Sequence, residues 1–364
     1  MEQKKTEHGA KKWFKILTLS LLCAGLPSGT ALAAKGIYDS CFPRYEKKEL
    51  YAIYGEFDYR RVEEKLRRVL FQFPSEKVML QGYYYPCDGA KGMVVVCHGM
   101  HAGADDYIPF IGYFVSHGYA VFTYDCKGTY ASAGDSTVGM CTPLVDLDHA
   151  LRYISNDPTL SKFPLFLFGH SWGGYAVTSV LPLHKSIKAC AAIAPFNDGY
   201  TLIAEKGEQY AGPFFGVVKE GLPAKFLSIY QKFLFGKYTQ LNAVKGINST
   251  DIPVFIAHGK RDRVISYYGQ SVHSHRHEIR DENVIYYEGT GVRSGHNTIL
   301  HSEEAVLYQE QVKNDLKALK KAKGRDLTEE ELVAFCDGVD HALYSAVNQE
   351  MMDEIISMFD RTLY

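Results

Sequence analysis

A single serine stands between two glycines in the stretch GHSWG, residues 169–173, directly after an apolar run that ends at Phe168. The pattern G-x-S-x-G is typical of a tight turn from a strand into a helix, where larger flanking side chains would collide. The unpaired N–H groups of the helix N-terminus then face the serine. A serine hydroxyl is a weak nucleophile until a base takes its proton, so a reactive Ser171 requires a histidine and a carboxylate nearby.

Candidates for both partners follow strand-like runs further along the chain. Asp262 lies in AHGKRDRVI and His296 in YYEGTGVRSGHNTI. Because ligand sites of α/β sheets lie at the carboxyl ends of the strands, both side chains can converge on Ser171. Asp198 and His301 are alternatives for the two roles. We prefer Asp262 because it lies in the usual acid loop, and His296 because His301 is predicted to begin a helix.

The charge that develops on an attacked carbonyl oxygen needs two preorganised donors, usually backbone N–H groups. The N–H of Trp172, directly after the serine, is one candidate. The second is predicted in the loop after VVVCHG, where we assign it to the N–H of Met100. Gly99 before it lets the backbone approach closely. The predicted oxyanion hole is therefore Met100 with Trp172.

These residues need a sheet to bring them together, and the chain predicts one. From about residue 77, short apolar runs alternate with segments of helical period, which is typical of an α/β fold. The runs are 77–85, 93–99, 119–125, 165–170, 190–196, 253–259 and 283–289. The first two, joined by PCDGAKG, predict an antiparallel pair. The others are almost continuously apolar, so we predict a mostly parallel, doubly wound sheet covered on both faces.

More than fifty residues separate the run that ends near Phe196 from the run that begins near Val254, too many for an ordinary connection. We predict a helical cap over about 197–250, with some of its aromatic side chains lining a pocket. Those side chains are Tyr200, Tyr210, Phe214, Phe215, Phe226, Tyr230, Phe233, Phe235 and Tyr238. Residues 302–364 predict C-terminal helices, one of them beginning with a capping box at Thr328 and Glu331.

With these residues identified, the chain resembles the α/β-hydrolase superfamily over about residues 77–300, and within it the monoglyceride-lipase-like and serine-aminopeptidase-like branch. HGMHAG resembles the oxyanion loop, GHSWGG the nucleophile elbow, HGKRDRVI the acid loop and SGHN the histidine loop. YDCKGTYASAGDS resembles the motif D-x-R-G-x-G-x-S, with Lys127 in place of the arginine and Tyr130 in place of the second glycine. The resemblance implies an α/β-hydrolase domain over 34–364, with the cap after the sixth strand. It also implies hydrolysis of an ester, thioester or amide through an acyl-enzyme, without a cofactor.

Composition limits the partners and the location of the protein. The 364 residues carry a formal net charge of −2 and no basic run beyond the N-terminus, so nucleic acid is not an expected partner. The first 33 residues combine five lysines, an apolar region and the small residues Ala31 and Ala33. We therefore predict a signal peptide over 1–33, cleaved after Ala33, and a secreted or surface-retained protein. An uncleaved anchor is the alternative, although the apolar region is shorter than the roughly 20 residues of a membrane span.

Three histidines in SVHSHRHEI, namely His273, His275 and His277, suggest a metal site at first sight. On a helix only the first and last share a face, and no carboxylate at a nearby strand end completes a usual ligand set, so we predict no metal. The favoured function is a serine hydrolase of monoacylglycerol, lysophospholipid or another acyl ester, because the aromatic cap favours apolar acyl groups. An aminopeptidase or amidase acting on short peptides is the alternative enzyme. A catalytically silent binding protein is the alternative from another class. Membrane association through an uncleaved N-terminus or a lipid substrate also remains open.

Overall fold

The computed structural model of the chain describes residues 32, 35, 36, 38–203, 205 and 222–364. The predicted signal peptide and its cleavage site after Ala33 therefore lie outside the described residues, apart from Leu32. Three of the predicted cap aromatics, Tyr210, Phe214 and Phe215, also lie outside them. Within the described ranges, no helix combines the length and the apolar character needed to cross a membrane.

The described residues form one eight-stranded sheet with the strand order β1-β2-β4-β3-β5-β6-β7-β8. The strands are β1 (Val69–Ser75), β2 (Val78–Tyr85), β3 (Gly92–Cys97), β4 (Tyr119–Tyr124), β5 (Leu165–His170), β6 (Ile187–Ile193), β7 (Val254–Gly259) and β8 (Val284–Gly289). β2 is antiparallel to β1 and β4, and all other neighbouring strands are parallel. The prediction of a mostly parallel sheet is confirmed.

Two details at the start of the sheet differ from the prediction. The antiparallel pairing of 77–85 with 93–99 is wrong, because β4 lies between β2 and β3. Every residue of β3 is buried, as expected of a strand in the middle of the sheet between β4 and β5. The edge strand β1 was not predicted. Its sequence, VLFQFPS, begins with three consecutive apolar residues and contains Pro74, so it shows no clear strand pattern.

Helices cover both faces of the sheet. They are α1 (Ile108–Ser116), α2 (Thr142–Asn156), α3 (Trp172–Ser179), α4 (Leu222–Phe235), α5 (Ala243–Asn248), α6 (Glu303–Lys323), α7 (Glu329–Asp337), α8 (His341–Ser345) and α9 (Gln349–Arg361). One apolar core contains residues of α2 and α3, and a second contains residues of α1 and α9. Alternate residues of β3, such as Val95 and Val94, enter the first and the second core respectively. This arrangement confirms the predicted doubly wound sheet.

The interval between β6 and β7 holds the helical residues 199–203, α4 and α5, in the region predicted to be a cap. The α4 helix contacts the segment that precedes the sheet, since the hydroxyl of Tyr230 donates to Asp39 over 3.0 Å. At the other end of the chain, α7 begins with the predicted capping box of Thr328 and Glu331. The buried Cys97 and Cys190 are free thiols.

Candidate active site

Ser171 lies on the turn between β5 and α3, with a φ of 57° and a ψ of −113°. A non-glycine residue with positive φ is strained, and such residues concentrate at functional sites. The turn is closely packed against its neighbours: a Cβ added to Gly169 would lie 2.4 Å from the Gly173 carbonyl oxygen. A Cβ added to Gly173 would lie 2.1 Å from the carbonyl oxygen of Cys97. Only glycine fits at these two positions, because any side chain there would clash with the backbone. The close packing holds the turn, and with it Ser171, at the carboxyl edge of the sheet.

The side chains of Ser171, His296 and Asp262 meet at this edge. The Oγ atom of Ser171 lies 2.9 Å from Nε2 of His296, and Nδ1 of His296 lies 2.7 Å from Oδ2 of Asp262. The Asp262 carboxylate accepts a hydrogen bond from the Nδ1–H group of His296, which leaves Nε2 free to accept from the serine hydroxyl. Residues that are 125 and 34 positions apart in the chain thus form one hydrogen-bonded line.

The carboxylate of Asp262 is itself held by its own loop and by β7. Its Oδ1 accepts from the N–H groups of Val264 at 2.7 Å and Ile265 at 2.9 Å. Nε2 of His258, at the end of β7, lies 3.2 Å from Oδ2. Burial alone would raise the pKa of Asp262, but the hydrogen bonds from His258 and His296 outweigh it and hold the pKa below its usual range. The group is therefore a carboxylate at neutral pH, a condition for orienting and stabilising a charged imidazole.

Comparisons with known proteins bear on the family and the fold of the chain. The model of a family described as serine aminopeptidase, S33, matches residues 88–234. A non-heme chloroperoxidase of Streptomyces lividans is 24% identical over 269 residues, which cover 60% of this chain and 91% of that protein. An esterase of Pyrococcus furiosus has a similar structure, with a TM-score of 0.52 and 17% identity over 77% of this chain and 98% of that one. Another crystal form of the same esterase gives a TM-score of 0.51 and 18% identity, over 77% and 95% of the two chains.

The chain has the α/β-hydrolase fold and resembles members of that superfamily over part of its length. The family match and the sheet order support an enzyme of the α/β-hydrolase type in general.

The two alternative partners, Asp198 and His301, lie elsewhere in the structure. Asp198 follows β6 and its Oδ1 accepts from the N–H of Thr201 at 2.9 Å, which caps the helical turn at 199–203. His301 is buried, with its ring near those of Phe57 and Phe110. Burial lowers the pKa of His301 to about 4, so this ring is neutral at neutral pH. Neither residue has a recorded contact with the line formed by Ser171, His296 and Asp262.

The loop after β3 lies directly beside the serine turn. A Cβ added to Gly99 would lie 3.5 Å from the carbonyl oxygen of His170, the residue before the serine. The N–H of Gly99 donates to the hydroxyl of Tyr107 at 2.9 Å. Among the described residues, the N–H groups of Met100 and Trp172 have no recorded hydrogen-bond acceptor. Both are therefore available to a ligand at this edge of the sheet.

The loop after β4 supports the loop after β3. The carboxylate of Asp125 accepts from the N–H of Ala104 and from the hydroxyl of Tyr83, at 2.8 and 2.9 Å. Burial raises the pKa of Asp125 to about 6. The hydroxyl of Tyr130, which replaces a glycine of the family motif, donates to Asp106 at 2.8 Å. The departures from the motif in this loop thus fill space beside the site without entering the contact between serine and histidine.

The histidine-rich segment contacts its own loop and, through His273, the side chains of Tyr286 and Glu288 in β8. Nε2 of His273 meets the hydroxyl of Tyr267, and Nδ1 of His275 meets Glu278 at 2.7 Å. Across the described part of the chain, no group of three histidine, cysteine, aspartate or glutamate side chains is arranged to hold a metal ion.

Proposed function

We propose that this protein is a serine hydrolase that cleaves carboxylic esters through an acyl-enzyme on Ser171. The observation that carries the proposal is the hydrogen-bonded line from the Oγ atom of Ser171 through His296 to Asp262, with distances of 2.9 and 2.7 Å. A catalytically silent binding protein would gain nothing from a strained serine, a buried carboxylate and a histidine aligned between them.

In the first half of the reaction, Nε2 of His296 takes the proton of Ser171 as Oγ attacks the ester carbonyl carbon. The carbonyl oxygen becomes negatively charged and accepts from the N–H groups of Met100 and Trp172. The Asp262 carboxylate stabilises the resulting imidazolium. His296 then gives its proton to the leaving alkoxide, so an alcohol departs and the acyl group stays on Ser171.

The second half returns the enzyme to its starting state. A water molecule loses a proton to His296 and attacks the acyl carbon, and the same two N–H groups stabilise the second oxyanion. The carbon–oxygen bond to Ser171 breaks, and Oγ recovers the proton from His296. The products are an acid and a free serine, and the steps draw only on these residues and water.

The acyl group that we propose is apolar, as in monoacylglycerol or lysophospholipid. Aromatic side chains of α4 support this preference: Phe226 and Tyr230 stack with ring centroids 6.1 Å apart in the cap region. The esterase of Pyrococcus furiosus, which shares the fold, supports an ester substrate. Cleavage of short peptides is the second candidate, because the family model that matches residues 88–234 is described as a serine aminopeptidase. The N-terminal composition supports secretion or retention at the cell surface.

A fluorophosphonate probe tests the nucleophile. We expect the wild-type protein to be labelled and Ser171→Ala to remain unlabelled, since the probe reacts with activated serines. Ser179→Ala is the matched control because Ser179 is buried in α3, the helix that follows Ser171, and it should label like the wild type. Labelling that persists in Ser171→Ala would refute the proposal.

A substrate panel separates the two candidate activities. We expect p-nitrophenyl esters to be cleaved with a kcat/KM that rises with acyl chain length, and amino-acid anilides to be poor substrates. Faster cleavage of the anilides would establish peptidase activity instead. A flat response to acyl length would contradict the apolar preference.

A further inference from the structure

We propose that Tyr107 and His170 are positioning residues that hold the proposed oxyanion loop and the loop of the proposed general base in one rigid frame. The inference deepens the proposed function and rests on it. Tyr107 lies just before α1, and His170 is the last residue of β5, next to Ser171. Both side chains are buried, each with 4% of its surface exposed.

Three hydrogen bonds connect the two loops through these side chains. The N–H of Gly99 donates to the hydroxyl oxygen of Tyr107 over 2.9 Å. The hydroxyl of Tyr107 lies 2.8 Å from Nδ1 of His170. Nε2 of His170 lies 3.2 Å from the carbonyl oxygen of His296. The connection therefore runs from the residue before Met100 to the backbone of the histidine that contacts Ser171.

The chemistry of the partners gives these bonds a direction. The carbonyl oxygen of His296 can only accept, so Nε2 of His170 carries the hydrogen. Nδ1 of the neutral ring then accepts from the Tyr107 hydroxyl, whose oxygen accepts from Gly99. Burial, followed by the repulsion of His296, lowers the pKa of His170 to about 3, so the ring stays neutral at neutral pH. The same arrangement persists when His296 becomes charged during the reaction.

The consequence concerns alignment at the moment of attack. The Ser171 nucleophile, its base and the Met100 donor lie on three separate loops, and misplacement by about 1 Å can cost a hundredfold in rate. His170 belongs to the serine turn by its backbone and reaches His296 by its ring, with the two imidazole centroids 4.9 Å apart. Tyr107 adds the Gly99 loop to the same frame.

Two substitutions of His170 each remove one of the two hydrogen bonds that its ring makes and keep the other. His170→Asn places an amide oxygen near the position of Nδ1, so it keeps the bond from Tyr107 and loses the bond to His296. His170→Gln places an amide nitrogen near the position of Nε2, so it keeps the bond to His296 and loses the other. Tyr107→Phe removes the hydroxyl between the two loops. Tyr119→Phe is the control: its hydroxyl donates to Asp360 at 2.6 Å, at the opposite end of β4 from the site.

We expect Tyr107→Phe and His170→Asn to lower kcat for p-nitrophenyl acetate by about 10- to 100-fold, with KM changed less than about twofold. His170→Gln should retain more of kcat than His170→Asn, because the histidine backbone contact survives. Tyr119→Phe should keep the wild-type kcat, even where its melting temperature falls as far as that of Tyr107→Phe. Because a loss of folded protein also lowers the apparent kcat at constant KM, each kcat is normalised to the folded fraction measured by circular dichroism.

A folded Tyr107→Phe with wild-type kcat would overturn the positioning role. If Tyr107→Phe fails to fold, equal kcat values for His170→Asn and His170→Gln would overturn it. Ser171→Ala, measured in the same assay, separates this inference from the function beneath it. Turnover that survives in Ser171→Ala would refute the proposed function and the positioning role together, whereas Ser171-dependent turnover that ignores Tyr107 and His170 would refute only the positioning role.

Discussion

His258 lies against the carboxylate of Asp262, with its Nε2 3.2 Å from Oδ2, the same oxygen that accepts from His296. The histidine is fully buried at the end of β7, and its Nε2 is also 3.0 Å from the carbonyl oxygen of Ile265. Two side chains and two backbone N–H groups therefore fix the orientation of one carboxylate. A carboxylate held in this way keeps the imidazole of His296 in a single tautomer.

This arrangement predicts a large effect of Asp262→Asn. The amide favours the wrong tautomer of His296 and cannot stabilise the imidazolium, so we expect kcat to fall by up to about 10⁴-fold. Asp198→Asn is the matched control and should stay within a few-fold of the wild type. Steady-state hydrolysis of p-nitrophenyl acetate measures both. The reverse order of effects would transfer the acid role to Asp198.

The contact of Gly173 with Cys97 predicts a severe loss of stability in Gly173→Ala. The new methyl group would lie 2.1 Å from a backbone oxygen that cannot move away, so we expect the free energy of unfolding to fall by about 3 kcal/mol or more. Gly112→Ala in α1 is the control, since nothing lies within 4 Å of its added Cβ. It should stabilise the protein by up to about 1 kcal/mol. Urea denaturation followed by circular dichroism compares them, and similar midpoints would contradict the packing argument.

If the backbone N–H of Met100 is an oxyanion donor, removing it should lower kcat more than truncating the Met100 side chain. Met100→Pro removes the N–H, and we expect kcat to fall by about 100- to 1000-fold, the usual cost of losing one oxyanion donor. Met100→Ala keeps the N–H and should lose only a few-fold. The melting temperature of each variant is measured beside its kcat, to show that both variants are folded. Equal kcat values for two folded variants would exclude the Met100 N–H from the oxyanion hole.

The buried His301 predicts a specific pH dependence of stability. Its pKa is about 4 in the folded protein and about 6.5 in an unfolded chain. Between these values the unfolded state binds more protons, so His301 makes the free energy of unfolding decrease as the pH falls from about 6.5 to 4. Asp125 and Asp146 act in the opposite sense over about pH 4 to 6, because burial raises the pKa of each to about 6 and their folded forms bind more protons.

A variant isolates the contribution of His301 from that of the carboxyls. His301→Gln removes the titrating ring, and we expect it to gain about 2 kcal/mol relative to the wild type between pH 7.5 and 4.5. Denaturant unfolding at a series of pH values measures the difference. If the free energies of unfolding of the wild type and of His301→Gln change in parallel with pH over this range, His301 does not titrate as its burial requires.

The sequence signals that worked were local ones. The glycines around Ser171 and the strand-end positions of Asp262 and His296 could be read without coordinates, because strand ends and tight turns have short-range patterns. The structure brings those three side chains together. The order of β2, β3 and β4 could not be read, since adjacency in the chain does not specify adjacency in a sheet and both β3 and β4 are fully buried.

The supporting residues were not predicted for a related reason. His258 ends an apolar strand, where it resembles any buried histidine, and only the fold brings it to Asp262. Tyr107 lies eight residues beyond its partner Gly99 and far in sequence from His170. The histidine before Ser171 was part of the quoted motif, but its bond to the backbone of His296 depends on two loops that only the tertiary structure brings together.

The central claim is that Ser171 carries the acyl group, and mass spectrometry of a quenched reaction tests it most directly. The protein is mixed with excess p-nitrophenyl ester, stopped with acid within the first turnover, digested and mapped. We predict a burst of about one p-nitrophenol per chain and an acyl group on the peptide that contains Ser171. Steady turnover with no acylated peptide, or with the acyl group on another residue, would contradict the account.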